Sequence, residues 1–164
     1  MFIQGKGIIY VAIAGLLAML GGITWYASLD NPQLGMAEIQ LTSVKVVNTN
    51  TIDNRVTLEV SFLVKNPSEK TFTVSNIDYE LYANGKPLGK GSYSTEDIAL
   101  PGRAAFYPGS QIELPTNFNL ILSDSAADEY NSIINGQELK FSAKGKMVVE
   151  SAWSLVERDF DTSQ

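Results

Sequence analysis

Arg55–Lys65, RVTLEVSFLVK, decides the fold. Val56, Leu58, Val60, Phe62 and Val64 alternate with Thr57, Glu59, Ser61, Leu63 and Lys65. Successive side chains of a strand point to opposite faces. A period of two therefore lays the first set against a core and turns the second mostly to water. Asn66-Pro67-Ser68-Glu69 ends the strand, because Pro67 has no N–H for a ladder and Asn66 favours a turn.

Extended character continues on both sides. Toward the N-terminus, Ile39, Leu41, Val44 and Val46 lie in a run rich in β-branched residues that closes at Asn48-Thr49-Asn50. Toward the C-terminus, 72–82 is a second strand with Ile77, Tyr79 and Leu81 on one face. Asn84-Gly85 follows, and this dipeptide tolerates positive φ at both central positions of a type I′ turn. The returning arm, 86–93, holds Pro87, Gly89 and Gly91, which predicts an irregular or edge strand. Residues 94–109 read as loop with short extended pieces at 98–100 and 105–107. Residues 110–122 are again β through Ile112, Leu114, Phe118, Leu120 and Leu122, interrupted by Pro115.

The period then changes. In 124–135, Ala126, Tyr130, Ile133 and Ile134 share one helical face. Ser123 or Asp124 is placed to cap the start, Asp128 and Glu129 suit its positive end, and Asn135-Gly136 stops it. Alternation returns in 137–150, with Leu139, Phe141, Ala143, Gly145, Met147 and Val149 opposite Lys140, Ser142, Lys144 and Lys146. A last strand over 155–160 leaves a polar tail, 161–164. About seven half-buried strands and one short helix predict a β-sandwich.

Ahead of this domain stands residues 8–27, IIYVAIAGLLAMLGGITWYA, without a charge. As a helix it is roughly 30 Å long, the hydrocarbon thickness of a bilayer. A cleaved signal peptide would have a shorter apolar core and small residues before the cut, whereas Trp25 and Tyr26 would fall at the third position before cuts after Ala27 or Ser28. A buried soluble helix would show a polar stripe. A retained transmembrane helix is the favoured reading. Lys6 and the amino terminus precede it and Asp30 is the first charge after it, so 1–7 is expected on the cytoplasmic side and the C-terminal domain outside. Trp25 and Tyr26 suit an aromatic belt at the outer membrane interface. Ala14, Ala18 and Gly22 share a face on which another helix can approach closely, although glycine and alanine are common in membrane helices anyway. Residues 28–36 then read as a polar linker and 37–160 as the domain.

Composition narrows the chemistry. The chain of 164 residues has no cysteine and no histidine, which removes thiolate chemistry, the usual base at neutral pH and the commonest metal ligand. Twelve basic residues against eighteen acidic give a net charge of −6, which argues against nucleic acid as a partner. Glu96-Asp97 and Asp128-Glu129 are paired carboxylates, but neighbours on a strand diverge and the second pair suits a helix start. Asp53-Asn54 and Asp159-Asp161 supply too few oxygens for calcium. No catalytic, cofactor or metal residues are therefore assigned. Lys140, Lys144 and Lys146 form a positive row, read either as a docking face for anionic headgroups or an acidic partner, or as a solvated face that discourages edge pairing.

The ordered set of an N-terminal span, a strand ending in Asn66-Pro67, a second strand, the Asn84-Gly85 hairpin, a late helix and Gly145 resembles the type-two late embryogenesis abundant (LEA) domain, also called the WHy (water stress and hypersensitive response) domain. Ser68 stands where many members carry a second Asn, and the hairpin arm is unusually rich in Gly and Pro. The resemblance implies an immunoglobulin- or fibronectin-III-like sandwich, desiccation or stress protection at the cell envelope, and no catalytic residues or cofactors. Two other roles stay open: an accessory structural subunit of a membrane protein complex, and a lipid-binding sandwich that holds an acyl chain.

Overall fold

A computed structural model describes residues 3–96 and 103–164; the extended piece expected at 98–100, and Asp97, lie outside them. Helix α1, Ile3–Ser28, carries the apolar segment. A single helical turn follows, α2 (Asn31–Leu34), with Pro32 where a missing N–H costs nothing. The strands are β1 (Glu38–Asn50), β2 (Arg55–Lys65), β3 (Phe72–Ala83), β4 (Lys86–Ser94), β5 (Ala105–Phe106), β6 (Gln111–Ile121), β7 (Phe141–Glu150) and β8 (Leu155–Ser163), with helix α3 (Ala127–Ile134) between β6 and β7.

Two antiparallel sheets face each other. One has the order β1-β2-β6; the other runs β4-β3-β7-β8, with β5 on the start of β3. The predicted alternation of β2 is realised: Val56, Leu58, Val60, Phe62 and Val64 are all buried. Phe62 meets Tyr79 edge-on at 5.0 Å and Phe160 at 5.8 Å, so the sheets join through a central aromatic cluster. Leu41 N–H donates to Thr162 Oγ1 at 3.1 Å along one open side, and the Thr116 hydroxyl donates to the Ser92 carbonyl at 2.9 Å along the other.

Strand β3 holds two hydrophobic phases. Phe72 and Val74 are buried, and so are Ile77, Tyr79 and Leu81. A register shift between Val74 and Asn76 lets both sets face the core, because the extra residue of a bulge reverses the alternation. The Asn84-Gly85 turn has φ of 48° and 84°, as type I′ requires, and β4 is the irregular edge strand expected, with Gly89 at φ 139°.

Several expectations are corrected. Pro115 does not interrupt β6, which is continuous from Gln111 to Ile121. On an edge strand half of the N–H groups point away from the ladder, and a proline there need cost no bond. Neither Ser123 nor Asp124 caps α3 with its side chain; a 3₁₀ turn at Asp124–Ala126 leads into it instead. Ile134, expected on the apolar face, is exposed. The tail 161–164 is largely strand: β8 runs to Ser163, and Gln164 N–H donates to the Phe141 carbonyl at 2.9 Å.

The linker is also more than a spacer. Leu34 and Ala37 are buried in the core, Asp30 holds Lys70 at 3.2 Å, and Gln33 Oε1 accepts from Glu69 N–H at 3.2 Å. Asn31 Oδ1 accepts from the Ser154 hydroxyl. The segment after α1 is thus fastened to the sandwich at its core and at two of its loops.

Candidate functional site

Strand directions place the ends of the molecule. The linker, the 66–71 loop, the start of β6 and the β7–β8 turn all lie at the end where α1 joins. The β1–β2 turn, the Asn84-Gly85 hairpin and α3 lie at the other.

At the α1 end, Trp25 and Tyr26 are exposed on the last turns of the helix. Ala14, Ala18 and Gly22 lie on an exposed helix, and among the described residues they contact no second span. The residue that sequence reasoning missed here is Trp153. It sits on the β7–β8 turn, 70% exposed, and lines an open groove of about 560 Å³ with Met19, Gly22, Ile23, Tyr26 and Ala27. Its stretch, Ser151-Ala152-Trp153-Ser154, carries no period that would mark a contact.

Asn66, expected as a simple strand end, is a buried hub. Its Nδ2 donates to the carbonyls of Phe106 at 2.7 Å and Lys70 at 2.8 Å, and its Oδ1 accepts from Ser68 N–H at 3.0 Å and from the Ser68 hydroxyl at 2.7 Å. Ser68 is buried and is part of this network. Pro67 beside it is exposed. The residues therefore order two loops at the α1 end. Gly145 is explained by crowding between strands: a Cβ there would overlap the Asp78 carbonyl and lie 2.8 Å from Tyr79 Cα.

The lysine row faces outward on β7, but β7 is an interior strand, so protection of a sheet edge does not explain it. Lys144 pairs with Asp161 at 2.9 Å and Lys146 with Glu157 at 3.5 Å, both across to β8; Lys140 is exposed at the far end. The hydrogen bond to Asp161 raises the Lys144 pKa. The strand register extends this into a row of alternating sign, Lys90–Glu80–Lys144–Asp161, above a shallow groove of about 400 Å³. Charges of both signs make a solvated, self-compensating face.

Three further carboxylates are engaged. Glu129 is buried and holds Lys86 at 2.9 Å, which lowers the Glu129 pKa and raises that of Lys86, while Asp128 stands 3.6 Å from the same ammonium. Asp53 accepts from Asn50 Nδ2 at 2.9 Å within the β1–β2 turn. In the core, burial pushes the Tyr79 hydroxyl up to about 12, with the nearby Thr116 hydroxyl acting slightly against it.

No family model and no curated protein matches the chain. Solved structures do. A protein from Arabidopsis thaliana, known from a solution structure, superposes with a TM-score of 0.53 at 11% identity, covering 77% of this chain and 80% of its own. It shows that the sandwich is a known fold. Looser superpositions include a candidate late embryogenesis abundant protein (TM-score 0.45, 10% identity, 97% and 88% covered) and a protein from Archaeoglobus fulgidus (0.44, 20%, 76% and 94%).

Proposed function

We propose that the chain is a non-enzymatic, single-span membrane protein of the LEA/WHy kind, acting by surface contact in protection against water stress at the cell envelope. The observation that carries this reading is the junction: a helix long and apolar enough to cross a bilayer, wholly unburied, runs directly into a closed sandwich. An unburied apolar helix needs a hydrocarbon solvent. The sequence motifs behind the LEA/WHy resemblance support the protective role, and the lack of histidine and cysteine supports the non-enzymatic one. Lys6 before the span supports a cytoplasmic N-terminus and an outer sandwich.

The test uses the full chain in lipid vesicles. A client enzyme dried and rehydrated beside them should keep more activity than with empty vesicles or with vesicles carrying an unrelated single-span protein. Equal loss in all three would overturn the protective reading. Protease added to intact cells should cut the sandwich and spare the N-terminus; the opposite pattern would reverse the orientation. The structural-subunit reading remains the alternative, and co-extraction with a constant partner in mild detergent would favour it. Lipid storage inside the sandwich finds less support, because Phe62, Tyr79, Phe118 and Phe160 fill the space between the sheets.

A further inference from the structure

We propose that the β7–β8 turn is a second membrane contact, with Trp153 seated among the acyl chains of the leaflet on the sandwich's side. The inference rests on the reading of α1 as a span. Trp153 stands on one wall of an open groove whose other wall is α1 from Ala27 back to Met19. Met19 is six residues before Trp25, about 9 Å deeper along a helix axis. If Trp25 and Tyr26 mark the interface, the groove opens below it, onto hydrocarbon. Its lining is uncharged, and at Gly22 the absent side chain leaves open space. An acyl chain suits such a surface better than water does.

The turn is built to enter the interface without stranding polar groups. Ser151 N–H donates to the Ser154 carbonyl at 2.8 Å, Trp153 N–H to Ser151 Oγ at 3.4 Å, and the Ser154 hydroxyl to Asn31. Its hydrogen bonds are thus largely closed internally while the indole projects. Its depth is set by the fastened linker, through buried Leu34 and the Asp30–Lys70 pair. That pair also occupies the neighbouring ammonium, so the occupant is neutral acyl chain and anionic headgroups are not required.

The chain has two tryptophans, which makes the test direct. Full-length Trp25→Phe and Trp153→Phe proteins are reconstituted in phosphatidylcholine vesicles whose acyl chains carry bromine at defined depths. Each protein then reports one indole. The expected result is that Trp153 emission is blue-shifted and quenched by shallow bromines to the degree seen for Trp25. Quenching of Trp25 without quenching of Trp153 would overturn the second contact and leave the span intact. Quenching of neither would overturn the span and this inference together. A Gly22→Cys protein that crosslinks to itself while Trp153 stays unquenched would mean that a second copy fills the groove, which also overturns it.

Discussion

Gly145 runs so close to Asp78 that a side chain on the glycine would overlap the Asp78 carbonyl oxygen. The neighbour is backbone in a central strand and cannot swing aside. Gly145→Ala should therefore force β7 and β3 apart and destabilise the sandwich by about 1–3 kcal/mol or more. Urea titration checks this; an unchanged midpoint would mean that the strands are not so closely spaced.

Asn66→Ala removes both donors that serve the Phe106 and Lys70 carbonyls and the acceptor that serves Ser68. Leaving several buried polar groups unpaired should cost about 3 kcal/mol or more. Asn66→Asp restores the acceptor but not the donors, and brings a carboxylate against two carbonyls. It should also destabilise, and more so as pH rises and the acid ionises. Thermal melts of both variants at two pH values distinguish them.

Leu34→Ala tests whether the linker belongs to the fold. A free spacer would tolerate the change, whereas a fully buried leucine should cost about 2–5 kcal/mol. The chemical denaturation midpoint is the readout.

At the far hairpin, Gly85 has φ 84° with open space around it. Gly85→Val should lose about 1 kcal/mol or more through backbone strain, while Gly85→Asn, which tolerates that conformation, should lose less. Equal effects would point to side-chain size as the cause.

The Lys86–Glu129 pair sets a pH signature. Glu129 is held below its ordinary pKa in the folded state, so its stabilisation is present above about pH 4.5 and is lost as pH falls through the lowered value. Lys86 is held above its ordinary pKa, so its stabilisation is present below about pH 10.5 and is lost as pH rises through the raised value. The stability gap between the unaltered protein and Lys86→Met should be flat near neutrality and narrow at both extremes. Guanidinium titrations across pH measure it.

What the sequence revealed depended on how far a pattern repeats. In β2, five alternating apolar residues outweigh any local accident, and all five are buried. Asn84-Gly85 was legible because its chemistry is confined to two residues. In β3 the alternation changes phase near Ser75, and a bulge is invisible without its partner strand. Pro115 was read as an interruption because its place on a sheet edge depends on strand order. Leu34 and Trp153 were missed for one reason: each is a lone apolar residue in a polar stretch, with no period to signal burial or contact. The candidate site was half legible, the long apolar helix by composition and the Trp153 turn not at all.

The fastened linker has a mechanical consequence. With Leu34 packed into the core and Asp30 and Asn31 bonded to the sandwich, only Leu29 lies between the helix and the first anchored residue, which leaves little length over which to swivel. Strands of 11 to 13 residues set the arm at roughly 35–40 Å. At its tip stands Ile52, 90% exposed. A linker fastened in this way should keep that tip at a fixed distance from the helix, so that an object touching it meets it about one strand length away.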